Sequence, residues 1–91
     1  MEDIINNIKL EQTCGACPEQ YDAFYNGEQI GYLRLRHGFF RVDFLKNGHE
    51  TVFTACPSGD GIFDPEERDY YLSLALKALA KALVYSEDYF D

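Results

Sequence analysis

The chain has 91 residues, enough for one domain and too few for a second core. Hydrophobic residues make up 46% and aromatics 15%, which sets it apart from disordered tails. Sixteen acidic residues against eight basic ones leave a formal charge of -8, and this argues against sequence-independent binding to phosphate backbones, where cations supply the affinity.

The opening residues Met1 to Asn6 hold neither a basic stretch nor a long apolar run. No later segment approaches the roughly 18 unbroken apolar residues of a membrane span, so a soluble, cytoplasmic protein is expected. Ile4 to Thr13 is a weak strand candidate and Tyr21 to Tyr25 a short one. Asn26-Gly27 and Asn47-Gly48 carry the strongest short hairpin signal, because both positions of such a pair tolerate positive φ, and each predicts a tight turn. Between them, Leu33 and Leu35 alternate with Tyr32, Arg34 and Arg36, and Phe40, Val42 and Phe44 alternate with Arg41 and Asp43. These are two half-buried strands joined at His37-Gly38. Thr51 to Ala55, rich in β-branched and aromatic residues, completes about five antiparallel strands.

Ser58 to Gly61 reads as a flexible loop. Asp64-Pro65-Glu66-Glu67 then places an acid at the cap, Pro at the first helical position and Glu three residues after the cap, which predicts a helix start. Leu72, Ala75, Leu76, Leu79 and Leu83 share one face, opposite a polar stripe of Ser73, Lys77 and Lys81. Ser86 to Asp91 forms an acidic, aromatic tail. The predicted fold is one α+β domain over residues 1–91, an antiparallel meander of four to five strands under one long C-terminal helix.

Three cysteines are an odd number and cannot pair off within one chain, and a reducing compartment disfavours disulfides in any case. Cys14-Gly15-Ala16-Cys17 is a C-x-x-C knuckle whose spacing lets two thiolates converge on one ion. In a meander, alternate chain reversals share a sheet end, so the knuckle, His37 and Cys56 fall at one end and both Asn-Gly turns, with His49, at the other. Cys14, Cys17, Cys56 and His37 therefore form a candidate Cys3His set for one structural Zn2+, with Asp60, Asp22 and Glu19 as alternatives to His37.

A different chemistry, thiol-disulfide exchange with Cys14 as nucleophile and Cys17 as resolving thiol, meets an obstacle. The Cys-Gly-x-Cys motif resembles that of the thioredoxin family, in which the first cysteine opens a helix of several turns. Here Pro18 and Asn26-Gly27 leave about two turns at most before a hairpin. Neither a phosphate-binding glycine loop nor a nucleophile elbow nor a zinc-protease helix occurs, so no enzyme is indicated. Asp60, Asp64, Glu66, Glu67 and Asp69 lack the register of a calcium loop and read as a capped helix start.

Arg34, Arg36, Arg41 and Lys46 place half the basic residues on the central hairpin. The three arginines share an outward phase with Tyr32 and Phe39, a composition suited to a protein interface. The acidic helix start and tail suit a basic groove on a partner.

Thr13-Cys14-Gly15-Ala16-Cys17-Pro18-Glu19-Gln20-Tyr21-Asp22, followed by Gly27-Glu28-Gln29-Ile30-Gly31-Tyr32-Leu33-Arg34-Leu35-Arg36-His37-Gly38, resembles a set of small phage and prophage proteins. The chain is similar to zinc-containing anti-CRISPR proteins that block the type II RNA-guided nuclease. The resemblance covers about half the chain and implies a stoichiometric inhibitor of a CRISPR effector nuclease, active in the host cytoplasm, that hinders guide or target-DNA loading or cleavage. A monomer with no direct nucleic-acid or membrane partner is expected, and a zinc-ribbon-like adaptor of a host transcription or replication complex is the other binding role.

Overall fold

Five strands pair in chain order, each antiparallel to its neighbour: β1 (Ile8–Cys14), β2 (Glu19–Tyr25), β3 (Glu28–Arg36), β4 (Phe39–Phe44) and β5 (Glu50–Ala55). The computed structural model describes residues 2–14, 19–46 and 48–90, with the backbone alone over 87–90. The expected meander is the observed topology. Its turn residues explain two of the reversals. Asn26 and Gly27 have φ of 53° and 81°, and His37 and Gly38 have 53° and 73°, so both hairpins turn on two residues in the left-handed region.

The reversal between β4 and β5 is wider than the tight turn expected at Asn47-Gly48. Phe44 pairs with Glu50, which leaves residues 45–49 in the loop, and positive φ falls on Gly48 and His49. Two bonds hold it open. The Leu45 N–H donates to the Ile30 carbonyl at 2.9 Å, so the chain stays tied to β3 beyond Phe44, and His49 Nε2 reaches back to Asp43 Oδ2 at 2.9 Å. Asn47 lies outside the described residues.

The start of the chain also departs from expectation. Ile4 to Thr13 is not one strand, because helix α1 (Glu2–Asn7) precedes β1. Glu2 and Asp3 favour its positive end, the Asn7 side chain donates to the Asp3 carbonyl at 2.7 Å, and Ile4 and Ile5 pack against the core. Tertiary burial of two isoleucines thus overrides their strand propensity.

Helix α2 (Pro65–Phe90) starts at the predicted cap and continues through the segment read as a tail. It lies on one face of the sheet. Ala75, Leu79, Ala80 and Leu83 are buried against Leu33, Leu35, Phe40, Val42 and Phe44, while Ser73, Lys77 and Lys81 stay exposed. Contact is close at Gly31, where an added Cβ would stand 2.8 Å from a Leu79 methyl. Ile30 is buried out of phase because the β2–β3 register shifts between Ala23 and Phe24, and the bulge turns Ile30 inward as well. Phe63 completes the core, edge-on to Phe40 at 5.0 Å and stacked on Tyr71 at 5.8 Å.

The segment from Cys56 to Asp64 is a strap across the end of the sheet. Its Asp60 carbonyl accepts from the Gly38 N–H at 2.6 Å and its Gly61 carbonyl from the Glu19 N–H at 2.8 Å. The Glu67 carboxylate accepts from the N–H groups of Ser58, Gly59 and Asp64 at 2.9, 2.8 and 3.0 Å. The last of these is the backward half of a capping box. The Ser58–Gly61 stretch is therefore hydrogen-bonded at both ends and along its middle, in place of the flexible loop expected.

Candidate functional site

Register decides which side chains share the uncovered face. Cys14, Gln20, Arg34, Arg41 and Thr54 form one row across all five strands, and Glu11, Asp22, Tyr32, Asp43 and Thr51 form the next. Neither helix covers this side, since α2 meets β3, β4 and β5 through their inward residues and α1 meets β1 and α2. It is the open face of a two-layer fold.

Charge on that face is unevenly compensated. Asp43, only 2% exposed, receives His49 Nε2 at 2.9 Å, Thr51 Oγ1 at 2.8 Å and Arg41 Nε at 3.4 Å. Tyr32 donates its hydroxyl to Gln20 Oε1 at 2.7 Å. Arg34 stands directly opposite Arg41 in the β3–β4 register, and Arg36 opposite Phe39. Among the described residues, neither Arg34 nor Arg36 has a salt bridge, although the chain carries sixteen acids. Arg34, Arg36, His37, Phe39 and Arg41 line a concavity of about 410 Å³, with Phe39 46% exposed.

The candidate metal ligands are distributed differently. Cys14 ends β1 and is half-buried, His37 is exposed in the β3–β4 turn, and Cys56 is exposed just after β5. The sheet end they share is the one expected. However, β1 and β5 are opposite edges of the sheet, four strand spacings or about 19 Å apart along it. The strap needs the residues from Cys56 to Gly61 to travel back from β5 to β2. Zinc holds thiolates at about 2.3 Å, so one shared ion needs Cys14 and Cys56 brought together from the two edges. Among the described residues no group of three potential ligands occurs, and Cys17 lies outside them. Residues 15–18, between Cys14 at the end of β1 and the start of β2, lie outside the described residues.

Glu19, an alternative ligand, is committed elsewhere. It is 1% exposed, and its carboxylate accepts from Arg68 Nε at 2.9 Å, Arg68 Nη2 at 3.2 Å, the Phe63 N–H at 3.0 Å and the Tyr21 hydroxyl. Burial pushes this carboxyl up, but the bonds from Arg68, Tyr21 and Phe63 and the charge of Arg68 outweigh it and hold the group below its ordinary range. The Tyr21 phenol is pushed up to about 12 by burial first and by its bond to Glu19 second. The cluster locks β2 to the strap and to the first turn of α2. A sequence signal existed for it: Glu19, Tyr21 and Ala23 share the inward phase, so an acid on that face requires a cation.

A second concavity, about 530 Å³, lies between β5 and α2 and is lined by Phe44, Val52, Ala78, Ala82 and Tyr85 among others. No helix among the described residues is long and apolar enough to cross a membrane. No family model, curated protein or solved structure matches the chain.

Proposed function

We propose that the chain is a non-catalytic protein-interaction module that docks through the open face of its sheet. The single observation that carries this is the Arg34–Arg41 pair, two like charges held opposite each other beside exposed Phe39 and Arg36, with no salt bridge to Arg34 among the described residues. Like charges directly opposite in a sheet are destabilising, and arginine with an exposed aromatic is the composition of interface hot spots. The buried carboxylates Glu19 and Asp43 are engaged in structural bonds, which supports a binding role over a catalytic one.

The resemblance of residues 13–22 and 27–38 nominates the partner, a type II RNA-guided CRISPR nuclease, with this chain as its stoichiometric inhibitor. The remaining acidic surface suits the positively charged channels in which such a nuclease holds nucleic acid. The test combines binding of the purified chain to a purified type II nuclease with target-DNA cleavage. An equimolar complex and blocked cleavage are expected, both weakened at least tenfold by Arg34→Glu with Arg41→Glu. Full inhibition by that double variant removes the face from the account, and the absence of any complex removes the nuclease.

A further inference from the structure

We infer that the concavity at Arg34, Arg36, His37, Phe39 and Arg41 binds a short acidic peptide segment of the partner, its carboxylates on the Arg34–Arg41 pair and an apolar side chain against Phe39. This rests on the reading of the open face as a docking surface and names what that surface takes. Charge complementarity is the basis. Cross-strand partners hold their Cβ atoms about 5 Å apart, so two guanidinium-bearing side chains leave the sheet as neighbours, with the Arg41 Nε turned to Asp43. A carboxylate accepts a bidentate bond from such a group, and a second carboxylate meets Arg36 two register pairs further along the hairpin. Arg41 already shares Asp43 at 3.4 Å, which orients it, whereas Arg34 has no salt bridge among the described residues and is open to an external anion.

The same charges discriminate against a polynucleotide. A chain of charge -8 repels an extended polyanion, and Glu11, Asp22 and Asp43 fill the row beside the arginines on the same face, so the anion this face accepts is a short segment confined to the arginine row.

Fluorescence anisotropy tests this with three labelled probes: a short peptide alternating glutamate and phenylalanine, the same peptide with glutamine for glutamate, and a single-stranded DNA oligonucleotide. The acidic peptide should bind, and the glutamine version should bind at least tenfold more weakly. Arg34→Glu should lose at least tenfold for the acidic peptide, Phe39→Ser a smaller factor, and Lys77→Ala on the far side of α2 nothing. Tighter, Arg34-dependent binding of the oligonucleotide overturns the inference, as does equal binding of both peptides. If the acidic peptide fails while the Arg34→Glu, Arg41→Glu variant still loses the protein partner, the peptide inference falls and the docking face stands.

Discussion

Glu19 ties three separate parts of the fold together through one buried carboxylate. Its carboxylate joins β2, the strap and α2 through Tyr21, Phe63 and Arg68. Removing the cation leaves a buried acid unpaired, so Arg68→Met should destabilise by about 2 kcal/mol in urea unfolding. That is below the full figure for a buried pair because a third of the Arg68 side chain stays in solvent. The Glu19 carboxyl titrates lower in the folded chain than its ordinary 4.5. Its contribution is therefore fully present above about pH 4.5 and lost as pH falls through the lower folded value, and Glu19→Gln should flatten stability against pH in that acid window. Tyr21 works in the opposite direction: its stabilisation holds below about pH 10 and fades as pH rises through about 12. None of this cluster was read from the sequence, because alternation identifies an inward Glu only once the strand is known to begin at residue 19.

At the scale of elements, the strap and the hairpins behave differently from one another. Gly59 is buried in the strap, and a Cβ there would stand 2.0 Å from the Ile62 carbonyl oxygen. Gly59→Ala should cost about 2 kcal/mol, as overpacking against backbone does. Glu67→Ala should speed amide hydrogen exchange at Ser58, Gly59 and Asp64, whose N–H groups it now holds. Cys56 is exposed at the β5 end of the strap, so Cys56→Ser should change stability by less than about 0.5 kcal/mol, whereas a Cys3His staple would unfold. Thermal unfolding of that variant with and without a strong chelator separates the two. Strand identity was legible because period-2 alternation and two-residue turns are local properties. The helical start at Glu2–Asn7 and the wide β4–β5 loop were not, since each is fixed by bonds and packing to distant residues such as Ile30 and Asp43.

The whole molecule is a two-layer fold, a sheet with α2 on one face and no helix on the other among the described residues. Turn signals placed the knuckle, His37 and Cys56 at one sheet end, and strand order agrees for Cys14, His37 and Cys56. A shared end is not a shared point, however, because sheet width separates the first edge from the fifth strand. The arginine face was legible from phase alone. Its decisive feature, Arg34 opposite Arg41 with only Arg41 salt-bridged among the described residues, required the register. Uncompensated charge of this kind trades stability for binding, which gives the account its sharpest consequence. The measurement that tests it most directly is the unfolding free energy of Arg34→Glu at low and high salt. Reversal converts a repulsive cross-strand pair into an attractive one, so stability should rise by about 0.5 kcal/mol at low salt and the gain should shrink at about 1 M salt. A loss of stability that salt leaves unchanged would show that Arg34 is held by structural contacts and would contradict the docking face.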